Sequence, residues 1–317
     1  MRNFSKKILM TAALALIALP ASAEQFINIL TGGTSGVYYP LGIGLSNIYS
    51  KALPNTKVSV QSTKASVENL NLLEAGRGEA AITLGDALSQ AWAGNPEVGY
   101  AKPLRKLRGI SALHANYVQI VARADSGIRT LADIKGKRVS VGAAKSGTEL
   151  NARAVFAAAG LKYSDFAKVE YLPYAQSAQL LQNRQIDVTL QSAGLGSPAL
   201  RDLANNVDIV IIPIPADVIA KIGDKAYIAS KVPANTYKDQ PKDVPTAKIE
   251  NYLVTRADLS TDTVYQMTKA MYTHLDELVA AHAAAKSIKL ENAINGIPIP
   301  LHPGAEKYYR EVGLIKK

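Results

Sequence analysis

The chain has 317 residues, with 36 lysines and arginines against 26 acids, a formal charge of +10, 48% hydrophobic residues and no cysteine. The missing cysteine excludes disulfides, thiolate metal sites, cysteine nucleophiles and a lipid-modified cysteine at a processing point. The basic residues are scattered rather than clustered, which speaks against nucleic acid as a partner.

Residues 1–23 read as a secretory signal peptide. Arg2, Lys6 and Lys7 give a basic start, Ile8–Leu19 an apolar core too short to cross a bilayer, and Ala21-Ser22-Ala23 an A-x-A cleavage site. Cleavage after Ala23 removes three positive charges and no acid. The remainder is long enough for two domains. Exported without an anchor, the protein is expected in a periplasm.

Phe26–Leu30 is short and apolar, as a buried strand is. Thr31-Gly32-Gly33-Thr34-Ser35-Gly36 follows as a loop, then a helix whose apolar face is Tyr38, Leu41, Leu45, Ile48 and Ala52. Pro40 is acceptable in its first turn. Such a loop sets free N–H groups at the positive end of a helix dipole, an anion site; its glycines also suit a plain tight turn. Lys57–Gln61 alternates as a strand. Ser62–Ser66 leads to a helix with Leu70 and Leu73 inside and Gly76 as its stop. Ala80–Leu84 is a strand, Gly85-Asp86 a short loop, and Ala87–Ala93 a helix ended by Gly94. Three strand–loop–helix units predict a parallel sheet, with ligands beyond the carboxyl ends of the strands.

Ile110–Leu113 and Tyr117–Arg123 read as two strands. The pattern then restarts: strand Arg138–Val141, loop Gly142–Thr148, helix to Ala159, strand Val169–Leu172, helix Ala175–Asn183, strand Asp187–Leu190 and Gln191-Ser192-Ala193-Gly194. A helix to about Leu203 and strand Val207–Ile212 complete a second half built like the first. Residues 231–247, rich in proline, lysine and aspartate, read as exposed loop. Lys248–Thr255 is a strand returning to the first lobe, followed by helices from Thr261 to Ala284 and a last one to about Val312. Two similar lobes with a cleft between them are expected, and pockets favour such interfaces.

Gly142–Thr148 partly matches a phosphate-binding loop, but Thr148 stands where the motif needs lysine, which argues against nucleotide hydrolysis. Lys145-Ser146-Gly147 has the form of an element of penicillin-recognising enzymes, yet no serine has lysine three places on. His114, His274, His282 and His302 show no metal-ligand spacing. Glu68 and Asp86 lie in or beside rim loops, either as helix-start acids or, for Asp86, as a holder of a ligand ammonium.

Seven segments carry a resemblance: Thr31–Pro40, Ser66–Asn69, Asp125–Ile128, Asp133–Val139, Gly142–Thr148, Ala281–Lys286 and Pro300–Tyr309. In these the chain resembles the TAXI family of solute receptors for TRAP transporters, a branch of the periplasmic binding proteins. The resemblance implies the type II fold: two similar α/β lobes joined by hinge strands, here residues 24–120, 121–250 and 251–317. It implies capture of a small carboxylated solute such as glutamate, glutamine, a dicarboxylate or a 2-oxoacid. Delivery would be to TRAP membrane subunits, by a monomer with no cofactor or metal. By position, Thr31, Gly32, Gly33, Thr34, Ser35, Gly36, Val37 and Tyr38, with Thr63, Ser66 and Asn69, would hold one end of the ligand. Ser146, Gly147 and Thr148 would hold a carboxylate from the second lobe, with Asp86, Gln191 and Ser192 as further candidates. Gln191-Ser192-Ala193-Gly194 departs from the family pattern, which leaves the ligand open. A periplasmic enzyme on the same scaffold, acting on a small anionic substrate, is the alternative.

Overall fold

The computed structural model describes residues 24–316; the expected signal peptide lies outside them. The strands are β1 (Gln25–Leu30), β2 (Thr56–Gln61), β3 (Ala80–Leu84), β4 (Leu107–Arg123), β5 (Arg138–Ser140), β6 (Lys168–Glu170), β7 (Val188–Ala193), β8 (Ile209–Ile212), β9 (Ile228–Val232) and β10 (Val244–Arg256). The helices are α1 (Tyr38–Ala52), α2 (Ser66–Glu74), α3 (Gly85–Ala93), α4 (Gly147–Ala158), α5 (Tyr174–Gln182), α6 (Pro198–Asn206), α7 (Ala216–Ile222), α8 (Thr261–Thr273), α9 (Leu275–Ala281) and α10 (Pro303–Glu311).

The strands form one hydrogen-bonded path, β2-β1-β3-β10-β4-β7-β5-β6, with β8 on β4 and β9 on β10. In the first lobe β2, β1 and β3 are parallel and β10 runs against β3. In the second β6, β5 and β7 are parallel and the end of β4 runs against β7, with β8 beyond it. Both lobes therefore share the strand order second, first, third, then a long strand arriving from the other lobe. Strand β4 changes partners at Tyr117, which pairs with Lys248 of β10 on one side and Ala193 of β7 on the other.

Burial follows the helical spacing: Tyr38, Leu41, Leu45 and Ile48 of α1 are buried against Ile27 and Ile29. Each fully buried aliphatic side chain contributes about 1.5–3 kcal/mol. Gly42 lets α1 approach the end of β1, since a Cβ there would sit 2.4 Å from Thr31 Cγ2.

Three sequence expectations are corrected. Ile110–Leu113 and Tyr117–Arg123 belong to one 17-residue strand. His114 and Asn116, which lie between the two expected strands, are buried where the strand crosses between lobes. Residues 231–247 are not simply exposed loop: 244–248 pair with 228–232, Thr246 is buried and donates to Val118 O, and the buried Tyr237 donates to Gln119 Oε1 at 2.5 Å. Gly85-Asp86 is the first turn of α3 rather than a loop. Among the described residues no helix is long and apolar enough to cross a membrane, and no acid or histidine cluster could hold a metal ion.

Candidate functional site

A cavity of about 380 Å³ lies between the lobes. The lobes are closed on it: Glu68 N–H donates to Lys145 O at 3.3 Å, and Ala199 N–H to Ser35 O at 3.2 Å. Two backbones at this junction are held in left-handed conformations, Ala65 at φ 70° and Lys145 at φ 62°. Strain of this kind, of order 1–3 kcal/mol per residue, collects at binding sites.

Four helix N-termini meet in the wall, those of α1, α2, α4 and α5. The first N–H groups of a helix have no intrahelical partner. No side chain caps α1, α2 or α5. In α4, Ser146 Oγ accepts from Glu149 N–H at 3.1 Å. This leaves the N–H groups of Gly147 and Thr148 with no protein acceptor among the described residues. The wall contains no acid, arginine or histidine, and its one lysine, Lys64, is exposed. The geometry offers backbone donors and partial positive charge to an anion, each helix end favouring it by about 0.3–1 kcal/mol.

Of the sequence-read residues, Gly32 to Tyr38, Thr63, Ser66, Ser146, Gly147, Thr148 and Ser192 lie in the wall, while Thr31, Asn69, Asp86 and Gln191 do not. Thr31 and Asn69 are buried beneath it. Asn69 Nδ2 donates to Thr31 O at 2.7 Å and Ile82 O at 2.9 Å, and its Oδ1 accepts from Thr63 at 2.6 Å. It ties the first loop to the second. Asn69→Ala strands these groups and is expected to lower stability by about 2 kcal/mol in urea unfolding; an unchanged midpoint would show that the loops hold without it. Gln191 is buried, its amide turned to Tyr174 O at 3.3 Å.

Asp86 is buried in a clasp between lobes. Its carboxylate accepts from Asn151 Nδ2 at 2.6 Å, Tyr227 OH at 2.8 Å and Ala87 N–H at 2.8 Å. Burial pushes its pKa up to about 6, against the opposing effect of the Tyr227 and Ala87 hydrogen bonds. It lies outside the cavity wall with its carboxylate turned to Asn151, Tyr227 and Ala87, so it is not placed to meet a ligand ammonium.

Sequence reading missed Tyr174 and Asn116. A polar chain runs under the cavity from lobe to lobe. Tyr38 donates to Asn251 Oδ1; Asn251 Nδ2 donates to Asn116 Oδ1 at 2.9 Å; Asn116 Nδ2 donates to Ser192 O at 2.7 Å. Tyr174 OH donates to the same carbonyl at 2.6 Å. Beside this chain His114 is a core histidine, packed edge-on to Tyr38 at 6.1 Å. Burial, with a smaller effect from His282, pushes its pKa down to about 3.

Solved structures share this architecture. PhnD1 from Prochlorococcus marinus (MIT 9301), in complex with methylphosphonate, is 11% identical with a TM-score of 0.59, over 92% of this chain and 100% of its own. A structure described as a periplasmic transporter is 13% identical with a TM-score of 0.56, over 92% and 94%. A protein from Bordetella bronchiseptica RB50 is 18% identical with a TM-score of 0.53, over 92% and 89%. At these identities the likeness speaks to the fold, the two-lobed α/β fold of periplasmic binding proteins. The model of the NMT1-like family matches residues 29–313, and the chain belongs to that family.

Proposed function

We propose that the protein is a periplasmic receptor that captures a small carboxylate-bearing solute between its lobes and delivers it to a membrane transporter. The observation that carries this is the meeting of four helix N-termini in a wall whose only charged side chain is the exposed Lys64. A carboxylate fits such backbone donors without an arginine fork. The clasp role of Asp86 weighs against an amino acid such as glutamate, whose ammonium would lack a counter-charge, and favours a carboxylate with no amino group. The TAXI resemblance supports a TRAP-type transporter as the partner, and the A-x-A site Ala21-Ser22-Ala23 supports signal-peptide cleavage after Ala23. The change of partners at Tyr117 supports lobe boundaries near residues 120 and 250. Against an enzyme, no hydroxyl in the wall has a carboxylate or imidazole in the wall beside it to act as base.

Mass spectrometry of solute released from the purified native protein is expected to show an unaltered small carboxylate. In a thermal-shift screen, such a ligand at a hundredfold its Kd adds about 2.7 kcal/mol of stability. Stabilisation by sugars or polyamines alone, with none from carboxylates, would overturn the assignment.

A further inference from the structure

Two hydroxyls on the second-lobe side of the wall have their protons fixed by their neighbours. Tyr174 OH lies 2.6 Å from Ser192 O. A carbonyl cannot donate, so the tyrosine does. Thr148 Oγ1 lies 2.5 Å from the same phenol oxygen. With the Tyr174 proton committed, that contact is a hydrogen bond only if Thr148 donates. Burial pushes the Tyr174 pKa up to about 12, so it stays a neutral donor at physiological pH. Gly36 of the opposite lobe leaves room beside the Tyr174 ring, since a Cβ there would sit 3.6 Å from it.

Thr148 Oγ1 is left with lone pairs and no proton. The backbone N–H of the same residue has no protein acceptor among the described residues. Thr148 therefore offers the cavity a donor suited to a carboxylate and, beside it, an acceptor suited to a neutral group carrying hydrogen. A hydroxyl next to the carboxylate satisfies both. A keto oxygen would set lone pair against lone pair. An ammonium could donate, but it would face four positive helix ends with no acid in the wall.

Resting on the carboxylate reading above, we propose that the cleft selects hydroxy-carboxylates over their oxo and amino analogues. Tyr174 is the positioning residue that holds the Thr148 hydroxyl in its accepting state. The preference is one net hydrogen bond plus one avoided repulsion, about tenfold or more in Kd.

The test is calorimetry on the mature protein with two matched series, lactate, pyruvate and alanine, and 2-hydroxyglutarate, 2-oxoglutarate and glutamate. In whichever series binds, the hydroxy acid is expected to be at least about tenfold tighter than the oxo acid. In Tyr174→Phe the threonine proton is released and can turn to the ligand, so the hydroxy-to-oxo ratio is expected to fall below about threefold, with oxo-acid binding improved. Thr148→Val is expected to lose the preference and Thr148→Ser to keep it. A merely structural role for Tyr174 would weaken all members of a series alike and leave the ratio unmoved. An unmoved ratio in both Tyr174→Phe and Thr148→Val, or tighter binding of the oxo or amino acid by wild type, would overturn the proposal while leaving the carboxylate reading intact. Binding of none of the six, alongside binding of an uncharged solute, would overturn both.

Discussion

Gly147→Ala is expected to weaken solute binding roughly 10- to 100-fold while leaving the solute-free protein as stable as before. A Cβ at Gly147 would sit 2.6 Å from Leu84 Cδ1 and 2.7 Å from Ser66 Oγ, both on the opposite lobe. Forced overpacking of this kind costs about 1–3 kcal/mol, and only the closed state bears it. Gly147 is not among the glycines with positive φ, so alanine brings no backbone strain, and at the start of α4 it is the better helix former. The cost therefore appears in Kd rather than in melting. Small-angle scattering should show the wild type contracting with solute, and the variant contracting less or only at higher solute. Normal affinity in the variant would mean that the bound state is more open than the structure described here. A lowered melting temperature without solute would mean that the contact belongs to folding.

Where sequence alone succeeded, the information was local. The loop 31–36 and the helix after it are written in neighbouring residues: an apolar strand, small residues, then apolar positions at helical spacing. Loops 62–66 and 146–148 have the same form, and all three contribute to the wall. The fourth helix start, at Tyr174, has no glycine or hydroxyl run before it. The repeat between lobes held the missing signal. Strand β6 and α5 occupy in the second lobe the places of β2 and α2 in the first, so residues 171–174 had to face the cleft as 62–66 do.

The same repeat breaks down at Asp86. Ala81–Asp86 and Asp187–Ser192 match in layout, yet Ser192 reaches the wall and Asp86 does not. In the first lobe the strand stops at Leu84 and the helix begins at Gly85, which carries Asp86 towards Asn151 and Tyr227. In the second lobe the strand runs on to Ala193. Nor could a linear reading find the chain under the cavity, because Asn116 and Asn251, polar residues inside strands, meet across 135 positions. What local pattern cannot encode is which distant group satisfies a buried amide.

Lowering the pH from 7 to 5 is expected to tighten solute binding about tenfold in the wild type and to leave Asp86→Asn nearly unchanged. Asp86 belongs to the first lobe; Asn151 and Tyr227, which enclose its carboxylate, belong to the second. Opening the lobes returns it to water and to the ordinary value of 3.8, whereas in the closed state burial holds it at about 6. The sign follows from proton uptake. Above pH 6 both states are ionised and affinity is flat. Between about 6 and 4 closure takes up a proton, so the closed state gains as pH falls; below that range both states are protonated. The full shift of about two units corresponds to about 3 kcal/mol, and one unit of it lies between pH 7 and 5. The phenols facing Asp86, those of Tyr227, Tyr100 and Tyr38, do not titrate in this window, because burial pushes their pKa far up; the neighbouring Asp224 raises the Asp86 pKa. Asparagine keeps the shape without the proton, so the variant should bind at pH 7 at least as tightly as wild type. Comparing the two slopes by calorimetry removes titration of the solute's own carboxylates. Equal slopes would show that Asp86 is not dehydrated on closure, and tighter wild-type binding at pH 7 than at pH 5 would reverse the sign assigned to the clasp.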